Sequence, residues 1–347
     1  MTIDHFGGPV ARVTKEALGY VSALEGFVLL SGFMFATVYW CDTAEPKRLF
    51  SRVGRRMLRI YKYQTLLLLS LVILTLSARH RAALEGWIGP YLVAPHSYFA
   101  LTLFTLHQPV YFDILPVYLG FLAISPFILI AFGRGWTVPT LFTSGLLWLA
   151  GQQFRPIPGA IAFFCAGCRL GPVHGLAWQS VWVAGLYLGF RQASMRPLSW
   201  SRNSFVVGLC MVTGALLLLA RHGVVHLGFN VANAVDVAHL GWLRLLNFAV
   251  LVVLAGAVLR WLPRESNVPW LALLGRASLA VFSFHVGLIY LFLPFRPAIS
   301  ATGNVADGLV TLIVVASLTL PALASQKLRL IAASRGRPLI RPLLRHA

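Results

Sequence analysis

"SFVVGLCMVTGALLLLA", residues 204–220, carries no charge and no polar stripe at helical spacing. "YQTLLLLSLVILTL" (63–76) and "LLNFAVLVVLAGAVL" (245–259) read the same way. Helices of about twenty apolar residues span the hydrocarbon core of a bilayer. Working outward, 58% of the chain is hydrophobic and 11% charged, where a soluble domain carries roughly a quarter charged residues. These blocks predict an all-α polytopic membrane bundle with the lipid bilayer as its first partner.

Spans are expected near 20–41, 60–77, 113–132, 137–151, 177–190, 204–220, 243–261, 269–293 and 306–326. The segment "PKRLFSRVGRRMLRIYK" (46–62) holds seven Lys and Arg and sets the orientation, because cytoplasmic loops collect basic residues. Alternating from it puts most remaining basic residues, and the tail 327–347, on the inner side. The net charge of +19 is therefore a topological signal, and nucleic acid is not an expected partner. The same alternation puts residues 1–19 outside, although the polar, then glycine-rich opening does not read as a cleavable signal peptide. A first helix running outward and ending near "MTIDHF", largely missing from this chain, is the expected resolution. It would give about ten helices in one integral membrane domain, with an internal methionine at position 1 and the C-terminus in the cytoplasm.

The outer connections 78–112 and 152–176 are the long ones and place binding or chemistry on that face. Four cysteines form no framework; Cys165 and Cys168 are a lone CxxC that reads as a small-residue contact. There is no phosphate loop, HExxH, GxSxG or dinucleotide fingerprint.

With only ten acidic residues, each can be weighed. Asp42, Glu45 and Glu265 sit among basic residues, and Glu16, Glu85 and Asp307 read as surface charges. Glu25 lies within a span, where a carboxylate is expected to have a role. His5 is close in sequence on the same side. A histidine held by a carboxylate takes a proton from a hydroxyl while the carboxylate fixes its tautomer. Glu25 is the expected partner. Asp4 could serve too, although neighbours on a helix point about 100° apart. Asp113 reads as an interfacial cap or part of a polar cavity, Arg276 as a headgroup anchor or phosphate ligand, and His285 as core packing or a proton relay.

Several stretches together resemble the OpgC family of membrane succinyltransferases acting on osmoregulated periplasmic glucans. They are "TIDHFGG" (2–8), "SALEGFVLLSGFMFATVY" (22–39), "ILPVYLGFLAISPFIL" (114–129), "LAWQSVWVAGLYLG" (176–189), "LRLLNFAVLVVLAG" (243–256) and "LGRASLAVFSFH" (274–285). They occur in the family's order along nearly the whole chain. The resemblance implies a ten-helix bundle in the bacterial inner membrane that moves an acyl group, succinyl above all, from acyl-CoA to a sugar hydroxyl of a periplasmic glycan. No bound cofactor is implied; acyl-CoA is a donor substrate. His5 matches the family's histidine, Glu25 with Ser31-Gly32 its second-helix pattern, and Arg276 with Ser278 its "GR-SL-VF" pattern. The arginine that precedes the family histidine has no counterpart, and its His-x-Pro-Gly is His5-Phe6-Gly7-Gly8 here.

The expected roles are therefore His5 as base with Glu25 or Asp4 behind it, and Asp113, Arg276, Ser278 and His285 towards substrate. Arg55, Arg56 and Arg59 are candidates for the CoA phosphates, with the thioester threaded through the bundle. The alternatives are a glycan or acyl-group transporter, which would show paired halves and broken helices, and a non-catalytic partner of a polysaccharide machine, which would tolerate loss of His5.

Overall fold

The computed structural model describes residues 1–153, 174–195, 202–228, 230–261, 263 and 268–334. Among them there is helix and no strand. Six stretches are long and apolar enough to cross a membrane: Ala23–Ala44, Pro46–Thr75, Ile114–Gly133, Ser204–Arg221, Ser278–Ala301 and Asn304–Ile331, with Trp242–Val258 shorter. Every expected span falls on helix. The span 269–293 is broken at Ala277, between Pro269–Arg276 and Ser278–Phe292, and 306–326 at Leu318, between Asn304–Ser317 and Thr319–Ser334.

Two expectations change. The basic segment 46–62 is no connector: it is continuous helix with the apolar stretch after it, Pro46–Thr75. Proline fits the first helical turn, where its missing N–H costs nothing, and Lys and Arg are good helix formers, so charge marked the membrane boundary but not a helix end. The outer connection 78–112 is also largely helical, as Ala78–Val93 and Pro95–Leu103. Most of 152–176, with Cys165 and Cys168, and the tail beyond Ser334 lie outside the described residues.

The chain divides into two compact units. One comprises Lys15–Leu58 and Ala100–Arg264. Its centre is the crossing of Ala23–Tyr39 with Gly175–Ala193, where Gly32, Gly185 and Gly189 let backbone meet backbone. A Cβ on Gly185 would overlap the Leu29 carbonyl, and one on Gly189 the Phe33 carbonyl. Small residues at such crossings supply the close van der Waals contact that associates helices in lipid. Trp178 and Trp182 are fully buried beside it, and the Trp182 indole donates to Ser125 Oγ at 2.9 Å.

The other unit comprises Thr2–Thr14, Arg59–Phe99 and Glu265–Ala347. Here Ser278–Phe292 packs on Thr319–Ser334, and Pro9–Thr14 on Asn304–Ser317. Trp87 meets Tyr290 edge-on at 5.7 Å. Leu66, Leu69, Ile73, Leu312 and Ile313 of this unit are exposed, as are Leu209 and Met211 of the first; apolar exposure on this scale belongs to a lipid-facing surface.

Candidate functional site

His5 sits in the short helix Thr2–Phe6. Gly7 and Gly8 follow with φ of 79° and 89°, the left-handed region that glycine enters without strain. They turn the chain into Pro9–Thr14, and a Cβ on Gly8 would stand 2.7 Å from an Asp307 oxygen. Asp307 is 3% exposed and takes a two-pronged bond from Arg296, 2.6 and 3.2 Å. Arg296 in turn covers the Phe6 ring at 4.6 Å. Asp307 is thus a buried anchor of the segment carrying His5, and the surface charge expected of it is corrected. Asp4 accepts from Thr14 Oγ1 at 2.9 Å, and Arg12 donates to Asn304 at 3.4 Å.

His5 Nδ1 lies 3.3 Å from His285 Nε2, with the rings stacked, centroids 5.6 Å apart. His285 is 3% exposed, and its ring also bonds the Phe282 backbone. A carbonyl only accepts, so with both rings neutral His285 carries its proton on Nδ1 and presents an Nε2 lone pair. His5 must then donate from Nδ1, which leaves its own lone pair on Nε2. This is the arrangement of an oriented base, with an imidazole where a carboxylate was expected.

Glu25 is engaged elsewhere. Its Oε2 closes a capping box on Ser22, accepting from N at 3.0 Å and Oγ at 2.7 Å. Its Oε1 takes Nε of Arg244, and both side chains are buried. Arg244 Nη1 reaches Glu16 at 3.0 Å, and Glu16 also holds Arg221 at 3.1 Å. One turn on, Asn247 Oδ1 accepts from the Tyr20 amide at 2.6 Å. A guanidinium that cannot lose its charge needs an anion in the apolar interior far more than a neutral imidazole does. Hence both Glu25 oxygens are taken within its own unit, by Ser22 and by Arg244. Glu16, expected at the surface, belongs to this network.

The remaining expected residues scatter. Asp113 is buried directly before Ile114–Gly133. Arg276 and Ser278 are exposed on either side of the Ala277 break, and the Arg276 carbonyl accepts from Arg329 at 2.8 Å. Ser278 lies two turns before His285 on one helix. Arg48, Arg52 and Arg56 recur every fourth residue along one helix face. The first two share Asp42, whereas Arg56 turns inward to Tyr118 Oη at 2.7 Å. Arg55 and Arg59 are exposed, Arg55 bonded to Ser51 at 2.8 Å. The three arginines expected to share a phosphate role therefore do not point one way.

Compared with known families, residues 1–329 match the family described as OpgC protein. The chain belongs to the OpgC family. No curated protein and no solved structure gives a match. The match includes His5, His285, Glu25 and Arg244 alike. Arg244 and Asn247 went unassigned in the sequence, although a signal for the first existed: a basic residue at the end of an apolar span implies a carboxylate, and Glu25 was the acid within a span.

Proposed function

We propose that this OpgC-family chain is a membrane O-acyltransferase that moves an acyl group, succinyl in the reading family membership favours, from acyl-CoA to a glucan hydroxyl at the outer face of the bacterial inner membrane. The observation that supports it most is the His5–His285 pair, a half-buried imidazole with its tautomer set by a buried one. His5 Nε2 takes the proton of the acceptor hydroxyl as that oxygen attacks the thioester carbonyl. The carbon–sulfur bond then breaks, and the imidazolium returns its proton to the departing CoA sulfur. His285 is the positioning residue. Glu25 and Asp4 act one step back, Glu25 by capping the helix that starts after Ser22 and Asp4 by tying the His5 segment to Thr14 at the end of Pro9–Thr14. Arg55 and Arg59 are the accessible cations for CoA phosphates; Asp113, Arg276 and Ser278 are proposed on the substrate path from the family pattern alone.

The test is reconstituted protein with succinyl-CoA and a neutral glucan, the product read by anion exchange, since each half-ester adds one negative charge. Transfer by the wild type, reduced on the order of 10²–10⁴-fold in His5→Ala, supports the reading. A wild type that exports glucan or acyl groups without transfer supports the transporter. Cells whose glucans stay anionic with His5→Ala alone support the non-catalytic partner.

A further inference from the structure

Residues 236–241 form a loop held at four successive carbonyls. Val237 accepts from the Trp178 indole at 2.9 Å, Ala238 from the His174 amide at 2.9 Å, His239 from Gln152, 2.5 Å, and Leu240 from the Trp148 indole at 3.0 Å. The donors come from Thr137–Gln153, from Gly175–Ala193 and from the residue before it. Leu240 is kept at a φ of 50°, and a Cβ on Gly241 would overlap the Ala234 carbonyl. A backbone fixed this many times over persists in a strained form where it presents something.

What it presents is a set of acceptors. Asp236 Oδ2 takes the His239 Nδ1 proton at 2.6 Å and the His239 amide at 3.0 Å, and Oδ1 takes the Ala238 amide at 3.2 Å. His239 therefore offers its Nε2 lone pair outward. The His174 ring stacks on it, centroids 5.4 Å apart at 28°, and His174 Nδ1 is buried with no hydrogen-bond partner among the described residues. His239 and Asp236 remain 27% and 37% exposed, so a ligand can reach them. With neutral imidazoles the cluster carries the single negative charge of Asp236. Arg244, which bonds the nearby Val235 carbonyl, is already matched by Glu16 and Glu25.

Acceptors in excess, a stacked ring surface and, among the described residues, no spare positive charge beside them call for a neutral ligand rich in hydroxyls. We propose that His174, Asp236 and His239 form a binding subsite for unmodified sugar rings. Ligand hydroxyls donate to His239 Nε2 and to Asp236, and the C–H face of the ring lies against an imidazole. By the positive-inside orientation the cluster faces the same side as the acceptor. The sugar's identity as acceptor rests on the transferase reading; its binding does not.

A neutral glucose oligosaccharide is titrated calorimetrically into the full-length protein in nanodiscs, without donor. The wild type should bind. His239→Ala and Asp236→Asn should each weaken binding about tenfold, the worth of one hydrogen bond to a charged or oriented group. Gly26→Ala, whose added methyl meets nothing within 4 Å, should leave binding unchanged, and the succinylated oligosaccharide should bind more weakly than the neutral one. Both His239→Ala and Asp236→Asn spare the carbonyl clamps, and melting curves identify a variant that has lost its fold. Equal affinity of the wild type and folded His239→Ala, or no binding by the wild type, overturns the subsite. Binding without transfer by the wild type overturns the transferase reading and leaves the subsite standing.

Discussion

His285 and Arg244 illustrate how a buried polar side chain is settled by whichever neighbour costs least to leave unpaired. In His285→Gln the amide oxygen still accepts from His5 Nδ1, so turnover should fall by about tenfold or less. His285→Leu removes that acceptor and should approach the His5→Ala loss, on the order of 10²-fold or more. A packing role alone would not distinguish the two. For the ion pair, Glu25→Gln leaves the buried guanidinium with Glu16 as its one anion and should cost about 1.5–3 kcal/mol of unfolding free energy, while Glu25→Gln with Arg244→Met should recover much of it. Sequence reading located His5 and Glu25 as residues needing explanation, since few polar groups lie near these spans. It could not assign partners, because His5 and His285 lie 280 residues apart and spacing along an apolar helix does not say which helix comes next to it.

Among the elements, each expected span was legible from its long apolar run, whereas helix ends were not, and neither were the helices Ala78–Val93 and Pro95–Leu103 within an expected connection. Pro46–Thr75 continues through a basic stretch because helix propensity tolerates charge that the bilayer core rejects. The crossing of Ala23–Tyr39 with Gly175–Ala193 makes a sharper claim. Gly185→Val forces a side chain into the Leu29 backbone and should cost about 1–3 kcal/mol. Gly26→Ala on the same helix as Leu29 meets nothing within 4 Å and should be neutral or stabilise by up to about 1 kcal/mol. The clamped loop adds a pH dependence. Burial, with His239 beside it, holds the His174 imidazole below its usual 6.5. The unfolded chain thus binds the proton first, and stability is lost as pH falls below 6.5. Bonds from His239 and Ala238 hold Asp236 below its usual 3.8 despite the opposing effect of burial, so its contribution stays intact until far lower pH. Melting temperature should decline between pH 7.5 and 5, and His174→Gln should flatten that decline.

For the molecule as a whole, membrane residence and family follow from different signals, apolar length for the first and an ordered set of short motifs for the second. Orientation rests on the basic stretch 46–62, and Cys41, exposed just before it, reports on it. As the sole cysteine, Cys41 should escape a membrane-impermeant maleimide in intact spheroplasts and react in inverted vesicles; the reverse pattern would turn the protein over. The packing of Thr2–Thr14 on Asn304–Ser317 also has a consequence in time. The segment carrying His5 precedes on the ribosome nearly everything that holds it: His285, Arg296, Asn304 and Asp307. At about 5–20 residues per second, roughly a quarter of a minute to a minute separates the synthesis of His5 from that of its partners. Until then a nascent chain holds His5 without the contacts that fix its ring, so a prematurely terminated product lacks them by the order in which its parts are made.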